Sequence, residues 1–243
     1  MPFKQQQMIQ VENLHKKFGK NQVLSKLDLN IEKGGIFAVL GPNGSGKTTL
    51  IKSILGMVVP NNGTISIDGN RINNKWKYRH EINYLPQIAN FPGNLKVKEL
   101  ITMIKDIRQK PSCEENLVTL FGLEPFLNKK LATLSGGTKQ KVNLVLAFMF
   151  DNPIIILDEP TTGLDPMALI RLKELIAEEK KKGKTILLTS HIMQFVAEIA
   201  DVIVYLLEGK IYFKGSIEEL KAKTEQTDLE HAIAAIATTT ADV

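Results

Sequence analysis

The chain has 243 residues, 43% of them hydrophobic and 23% charged, with a formal net charge of +5, which is ordinary for a globular protein with a sizeable core. No apolar run nears the ~20 residues that span a bilayer, and the single Cys113 excludes an internal disulfide framework and suits a reducing cytosol. The basic balance raises nucleic acid or an anionic membrane as partners, but the lysines and arginines are scattered. The one dense run, Lys180 to Lys184, reads as the solvated last turn of a helix closed by Gly183.

Alternation in MIQVENL (8–14) and LDLNI (27–31) predicts two half-buried strands. IFAVLG (36–41) is a continuous apolar run that suits a fully buried strand, and TTLIKSILGM (48–57) follows with helical spacing. GTISIDG (63–69) is a short strand between turn glycines. From Ile88 to about Phe150 the pattern turns helical, through VKELITMIKDI, CEENLVTLFGL and GGTKQKVNLVLAFMF. Then come the strand IIILDE, a helix through LIRLKELIAEEKKK, the strand TILLTS, another helix, and paired strands VIVYLLEG and KIYFKG. Strands alternating with helices predict a mainly parallel sheet in an α/β fold, with the helical stretch about 88–150 inserted into it. DLEHAIAAI (228–236) carries weak helical spacing in a short C-terminal appendage, 216–243. The opening MPFKQQQMIQ does not read as a signal peptide, so a cytoplasmic chain is expected.

Three stretches carry chemistry. The first, Gly41, Pro42, Asn43, Gly44, Ser45, Gly46, Lys47, Thr48 and Thr49, fits G-x-x-x-x-G-K-[ST] between a buried strand and a helix. Glycines let backbone N–H groups converge on phosphate oxygens at the positive end of the helix, Lys47 reaches the outer phosphates, and the Thr48 hydroxyl suits Mg²⁺. The second, IIILDEP, ends a buried strand on Asp158 and Glu159. Two adjacent acids there are costly unless a cation or a reaction uses them: Asp158 for Mg²⁺, Glu159 to orient or deprotonate water. The third, LSGGTKQK (134–141), offers Ser135 between apolar and glycine residues, with no histidine or aspartate close in sequence to activate it as a nucleophile.

In order and content, these stretches resemble the nucleotide-binding subunit of an ABC (ATP-binding cassette) transporter, over residues 8–215. The resemblance implies a P-loop NTPase core with an N-terminal antiparallel β subdomain and an inserted α-helical subdomain. Gln87 in YLPQ resembles the loop glutamine that contacts Mg²⁺ and couples to membrane subunits. LSGGTKQK (134–141) resembles the signature motif, GLDP (163–166) the D-loop, His191 the switch histidine near the γ-phosphate, and Phe18 the aromatic residue that stacks on adenine. Taken singly, His191 reads as a capping or core histidine, Phe18 also as core packing and Gln87 as a surface loop residue; their order and context along the chain favour the functional reading, for Phe18 least. Ser135, Gly136 and Gly137 are then a helix cap and glycine nest that grips the γ-phosphate held by a second copy of the chain, in a two-fold dimer. Implied partners are ATP, a second copy and integral permease subunits on the inner face of the membrane, with no nucleic acid expected.

Two positions depart from the family pattern: Thr138, where glutamine is usual, and Phe18, where tyrosine is commoner. YLPQIANFPGNL and LSGGTKQKVNLVLAFMFD resemble the copper-processing subfamily that assists nitrous oxide reductase maturation, while the alternatives are an exporter of drug, lipid or peptide and, less favoured, a soluble cassette protein acting on nucleic acid or ribosome. Copper itself is not expected on this chain, because Cys113 stands alone and the methionines follow apolar helical patterns.

Overall fold

The computed structural model describes residues 6–72 and 75–241, so the last two residues of the expected appendage lie outside the described residues. The chain opens with long strands β1 (Gln7–Phe18) and β2 (Asn21–Glu32), followed by β3 (Gly35–Leu40), helix α1 (Lys47–Ile54), β4 (Asn62–Ile67) and β5 (Asn70–Arg71). Next come β6 (Ile82–Leu85), α2 (Val97–Arg108), α3 (Glu114–Phe121), α4 (Gly136–Phe148) and β7 (Ile154–Asp158). The remainder is α5 (Pro166–Lys181), β8 (Thr185–Thr189), α6 (Met193–Ile199), β9 (Val202–Leu207), β10 (Lys210–Gly215), α7 (Ile217–Thr224) and α8 (Leu229–Ala241).

Two sheets result. An antiparallel one has the order β2-β1-β4-β5, and a six-stranded one has the order β10-β9-β3-β8-β7-β6. In the second, β3, β6, β7, β8 and β9 run parallel and only β10 is antiparallel. The run IFAVL is apolar throughout because both faces of β3 are covered. Ile36, Ala38 and Leu40 join the core beneath α2, α3 and α4, while Phe37 and Val39 join the core shared with α1 and the antiparallel sheet. Alternation in β1 serves a strand with one buried face: Ile9, Val11 and Leu14 are buried, and Glu12 and Asn13 are exposed. Leu220, Leu229, Ala232 and Ile236 tie α7 and α8 into the core under α2, α3 and α4.

Three details differ from the sequence pattern. Helix α1 stops at Ile54 rather than running to Met57, because Gly56 N–H and Met57 N–H bond back to Ser53 O and Lys52 O at 3.0 and 2.8 Å and close a Schellman cap. The passage INYL, to which alternation assigns no strand, forms β6 parallel to β7; its buried Asn83 donates to Phe150 O at 2.7 Å and accepts from Asn152 Nδ2 at 2.7 Å. The lysine run is not uniformly solvated. Gly183 does end α5, but Lys184 is buried between Glu179 and Asp151, with its Nζ 2.6 Å from Asp151 Oδ1.

Candidate functional site

The loops that leave the C-terminal ends of four neighbouring parallel strands carry the residues singled out by the sequence. After β3 comes Gly41 to Thr49, at the end of β7 Asp158 followed by Glu159, after β8 His191 and after β6 Gln87. Open α/β sheets present ligands at this edge, because strand ends and helix N-termini converge there.

The first loop is fitted tightly against the sheet. Gly41 is irreplaceable sterically, since a Cβ there would lie 2.0 Å from Leu206 O. Ser45 O accepts Gly209 N–H at 3.0 Å, which ties the loop to the β9–β10 turn. Helix α1 begins at a left-handed Gly46 with no side-chain cap and no acid in its first turn, leaving its terminal N–H groups open to an anion. Lys47 Nζ donates to Gly41 O at 2.7 Å and Pro42 O at 3.0 Å. Burial pulls this ammonium below its ordinary value, and the charges of Glu159 and Asp158 pull the other way. Opposite charges close by at low exposure are the electrostatic setting of a phosphate–metal site.

Across the sheet, Asp158 is 2% exposed and Glu159 7%. Thr189 Oγ1 donates to Asp158 Oδ1 at 2.6 Å, whereas Asp158 Oδ2 is buried with no protein partner, as is Ser45 Oγ. An ionised oxygen without a donor is expensive in a protein interior, so Oδ2 fits a cation ligand and the hard-oxygen donor set fits Mg²⁺. Burial, then the Asp158 charge, pushes the Tyr84 hydroxyl up to about 12. Glu159 adopts φ +53, a left-handed conformation that costs a non-glycine residue about 1–3 kcal/mol and collects at working sites. Its Oε2 lies 2.7 Å from His191 Nδ1; because a carboxylate only accepts, Nδ1 carries the shared hydrogen. Gln87 is exposed two residues past β6, and Phe18 is 50% exposed with Lys16 Nζ 4.8 Å from its ring centroid. Core packing therefore does not explain Phe18.

Ser135, Gly136 and Gly137 are not joined to this group by any hydrogen bond among the described residues. Ser135 caps α4, accepting Thr138 N–H at 3.3 Å, and its Oγ lies 2.9 Å from Thr138 Oγ1. The departure at position 138 thus gives the capping serine a hydroxyl partner besides the Thr138 N–H. Alongside, Gln140 Nε2 donates to Pro160 O at 3.1 Å, Lys141 Nζ pairs with Asp165 at 2.6 Å, and Asp165 caps α5. These contacts, and the Thr189 bridge, escape sequence reading. Thr189 is signalled only as a polar residue ending an apolar strand.

The two signature glycines have different surroundings. A Cβ on Gly136 meets nothing within 4 Å, while one on Gly137 would lie 2.6 Å from Gly163 O. Gly137→Ala should therefore destabilise the chain by about 1–3 kcal/mol through overpacking. Gly136→Ala should be neutral or stabilising by about 0.4–1 kcal/mol. Thermal unfolding of the two variants checks this, and equal melting temperatures would refute the close approach.

Comparison with known proteins agrees with this geometry. Residues 24–162 match the family model described as "ABC transporter". The lantibiotic transport ATP-binding protein SrtF of Streptococcus pyogenes is 32% identical over 208 residues, covering 84% of this chain and 89% of the relative. The L-cystine import ATP-binding protein TcyN of Bacillus subtilis is 31% identical over 232 residues, 90% of each. A solved structure of an ATP-binding subunit of an ABC transporter aligns with a TM-score of 0.88 at 31% identity, covering 95% of this chain and 99% of that one. A dimeric cassette in a post-hydrolysis state with ADP and Pi aligns at 0.76 with 26% identity, covering 86% of this chain and 98% of that one. On its strand-end geometry and on these matches, the chain belongs to the ABC transporter family as an ATP-binding cassette.

Proposed function

We propose that the chain is the ATP-hydrolysing subunit of an ABC transporter, closing as a homodimer on two ATP molecules and driving a membrane permease. The observation that carries this reading is the gathering of Lys47, Asp158, Glu159 and His191 at adjacent strand ends, with Asp158 Oδ2 left without a protein partner. Lys47 exchanges its loop carbonyls for the outer phosphates, and the N–H groups of the loop from Gly41 to Thr49 bind the phosphate oxygens. Thr48, Asp158 and Gln87 would hold Mg²⁺, which when bound offsets the negative charge on the phosphates. Glu159 positions and deprotonates water, and His191 fixes its Oε2. Phe18 stacks on adenine, an exposed aromatic face being worth ~1–3 kcal/mol per base. Ser135, Gly136 and Gly137 close the site from the partner copy. Phosphate release should be Mg²⁺-dependent, with ATP-driven dimerisation by light scattering; a chain that binds ATP yet neither dimerises nor hydrolyses it overturns the reading.

Gln87 and its neighbour Ile88, 81% exposed, face outward at the end of β6 and suit docking on a permease. No helix among the described residues is long and apolar enough to cross a membrane, which suits a peripheral position on the inner face. The finer assignment to copper processing in nitrous oxide reductase maturation rests on YLPQIANFPGNL and LSGGTKQKVNLVLAFMFD alone. The second reading is an exporter of drug, lipid or peptide; the lantibiotic transport relative favours it and the cystine import relative does not. Under the copper-processing reading, copper should act through the permease and not on this chain. Competition against a Cu(I) chelator should give no stoichiometric copper on the purified chain, and one tightly held ion would overturn that division of roles.

A further inference from the structure

We propose that Thr189 is a positioning residue that sets both acids of the site through one hydroxyl. The inference rests on the roles proposed above for Asp158 and Glu159 and deepens them. Thr189 ends β8 directly beside Asp158 at the end of β7, the two being register partners, and it is wholly buried. Its Oγ1 has one hydrogen and two lone pairs. The hydrogen goes to Asp158 Oδ1 at 2.6 Å, and a lone pair accepts Glu159 N–H at 3.0 Å. Each bond has a separate consequence. Occupying Oδ1 fixes the rotation of the Asp158 carboxyl and leaves Oδ2, buried and unpartnered, as the oxygen aimed at a cation. Holding Glu159 N–H, with help from Thr189 O at 3.3 Å, pins the left-handed backbone that turns the Glu159 side chain toward His191, two residues beyond Thr189. Carboxylate ligands gain affinity when a neighbouring donor fixes their orientation, and loss of that donor typically costs roughly 10–100-fold in metal affinity or activity.

Thr189→Val keeps the shape and removes both bonds, Thr189→Ser keeps the hydroxyl, and Thr189→Ala serves if valine does not fold. Mn²⁺ is titrated into the full chain with saturating AMP-PNP and followed by electron paramagnetic resonance, alongside kcat and KM for ATP. Valine or alanine should weaken Mn²⁺ binding by about tenfold or more and lower kcat with little change in the affinity for metal-free ATP; serine should restore both. Unchanged Mn²⁺ affinity and kcat in Thr189→Val overturns the proposal, as does a serine variant as impaired as valine. Asp158→Asn run in parallel separates the two failures. If it binds Mn²⁺ as the parent does, the reading of Asp158 is wrong. If it is impaired while Thr189→Val is not, only the Thr189 proposal falls.

Discussion

Glu159→Gln leaves ATP bound and all but stops its hydrolysis. The amide keeps the size of the side chain and can still meet His191 Nδ1 through its oxygen, so the local geometry of a residue only 7% exposed survives. What disappears is a group able to take a proton from water, and loss of a general base typically costs about 10²–10⁴-fold in rate. The left-handed backbone at φ +53 is no worse for glutamine than for glutamate, so stability should barely change. Because Lys47 and the loop from Gly41 to Thr49 are untouched, binding proceeds and the closed dimer accumulates. Light scattering under saturating MgATP should show dimer while phosphate release falls to near background. Wild-type turnover in the variant, with monomer only, would remove Glu159 from the mechanism.

Ser135→Arg should abolish turnover of the chain on its own while leaving its own ATP binding near normal. Ser135 is exposed, and the neighbouring Gly136 has open space around it, so a large side chain fits the free chain at the cost of the cap, about 0.5–2 kcal/mol. Lys47→Ala should fail for the opposite reason, having lost the ammonium that reaches the phosphates. If the signature of each copy completes the site of the other, a mixed dimer places both defects in one site and leaves its twin intact. Equal mixing makes about half of the dimers mixed, so roughly a quarter of wild-type activity should return if one intact site suffices for turnover. A loss of turnover in Ser135→Arg matched by an equal loss of its own ATP affinity would point instead to a fold defect.

Sequence patterns foresaw most of what local chemistry dictates. The apolar run of β3, its loop, the acids after β7 and the capping serine of α4 declare themselves within a few residues each. What stayed hidden depends on partners far along the chain. Strand β6 escapes because its interior position is Asn83, a polar residue made tolerable only by Phe150 O and Asn152, more than sixty residues away. Lys184 looked like part of a wet lysine tail, yet β8 carries it inside to meet Glu179 and Asp151. The clasp on Asp158 and Glu159 is illegible for the same reason: Thr189 acquires its role only when β7 and β8 lie side by side. The family pattern points to Phe18, whose half-exposure is visible only in three dimensions.

The contact of Gly137 with Gly163 O, flanked by the Gln140–Pro160 bond and the Lys141–Asp165 ion pair, also constrains how such a sequence can drift. Residues in contact do not contribute independently, and coupling energies of about 0.5–3 kcal/mol are usual between them. A side chain at 137 is tolerable only after the backbone at 163 has retreated, and that retreat carries no benefit while 137 is glycine. The two segments therefore form one heritable unit: in the descendants of this chain, a change in one should be preceded or accompanied by a change in the other, and a chimaera that joins the signature of one cassette to the D-loop of another should inherit the mismatch.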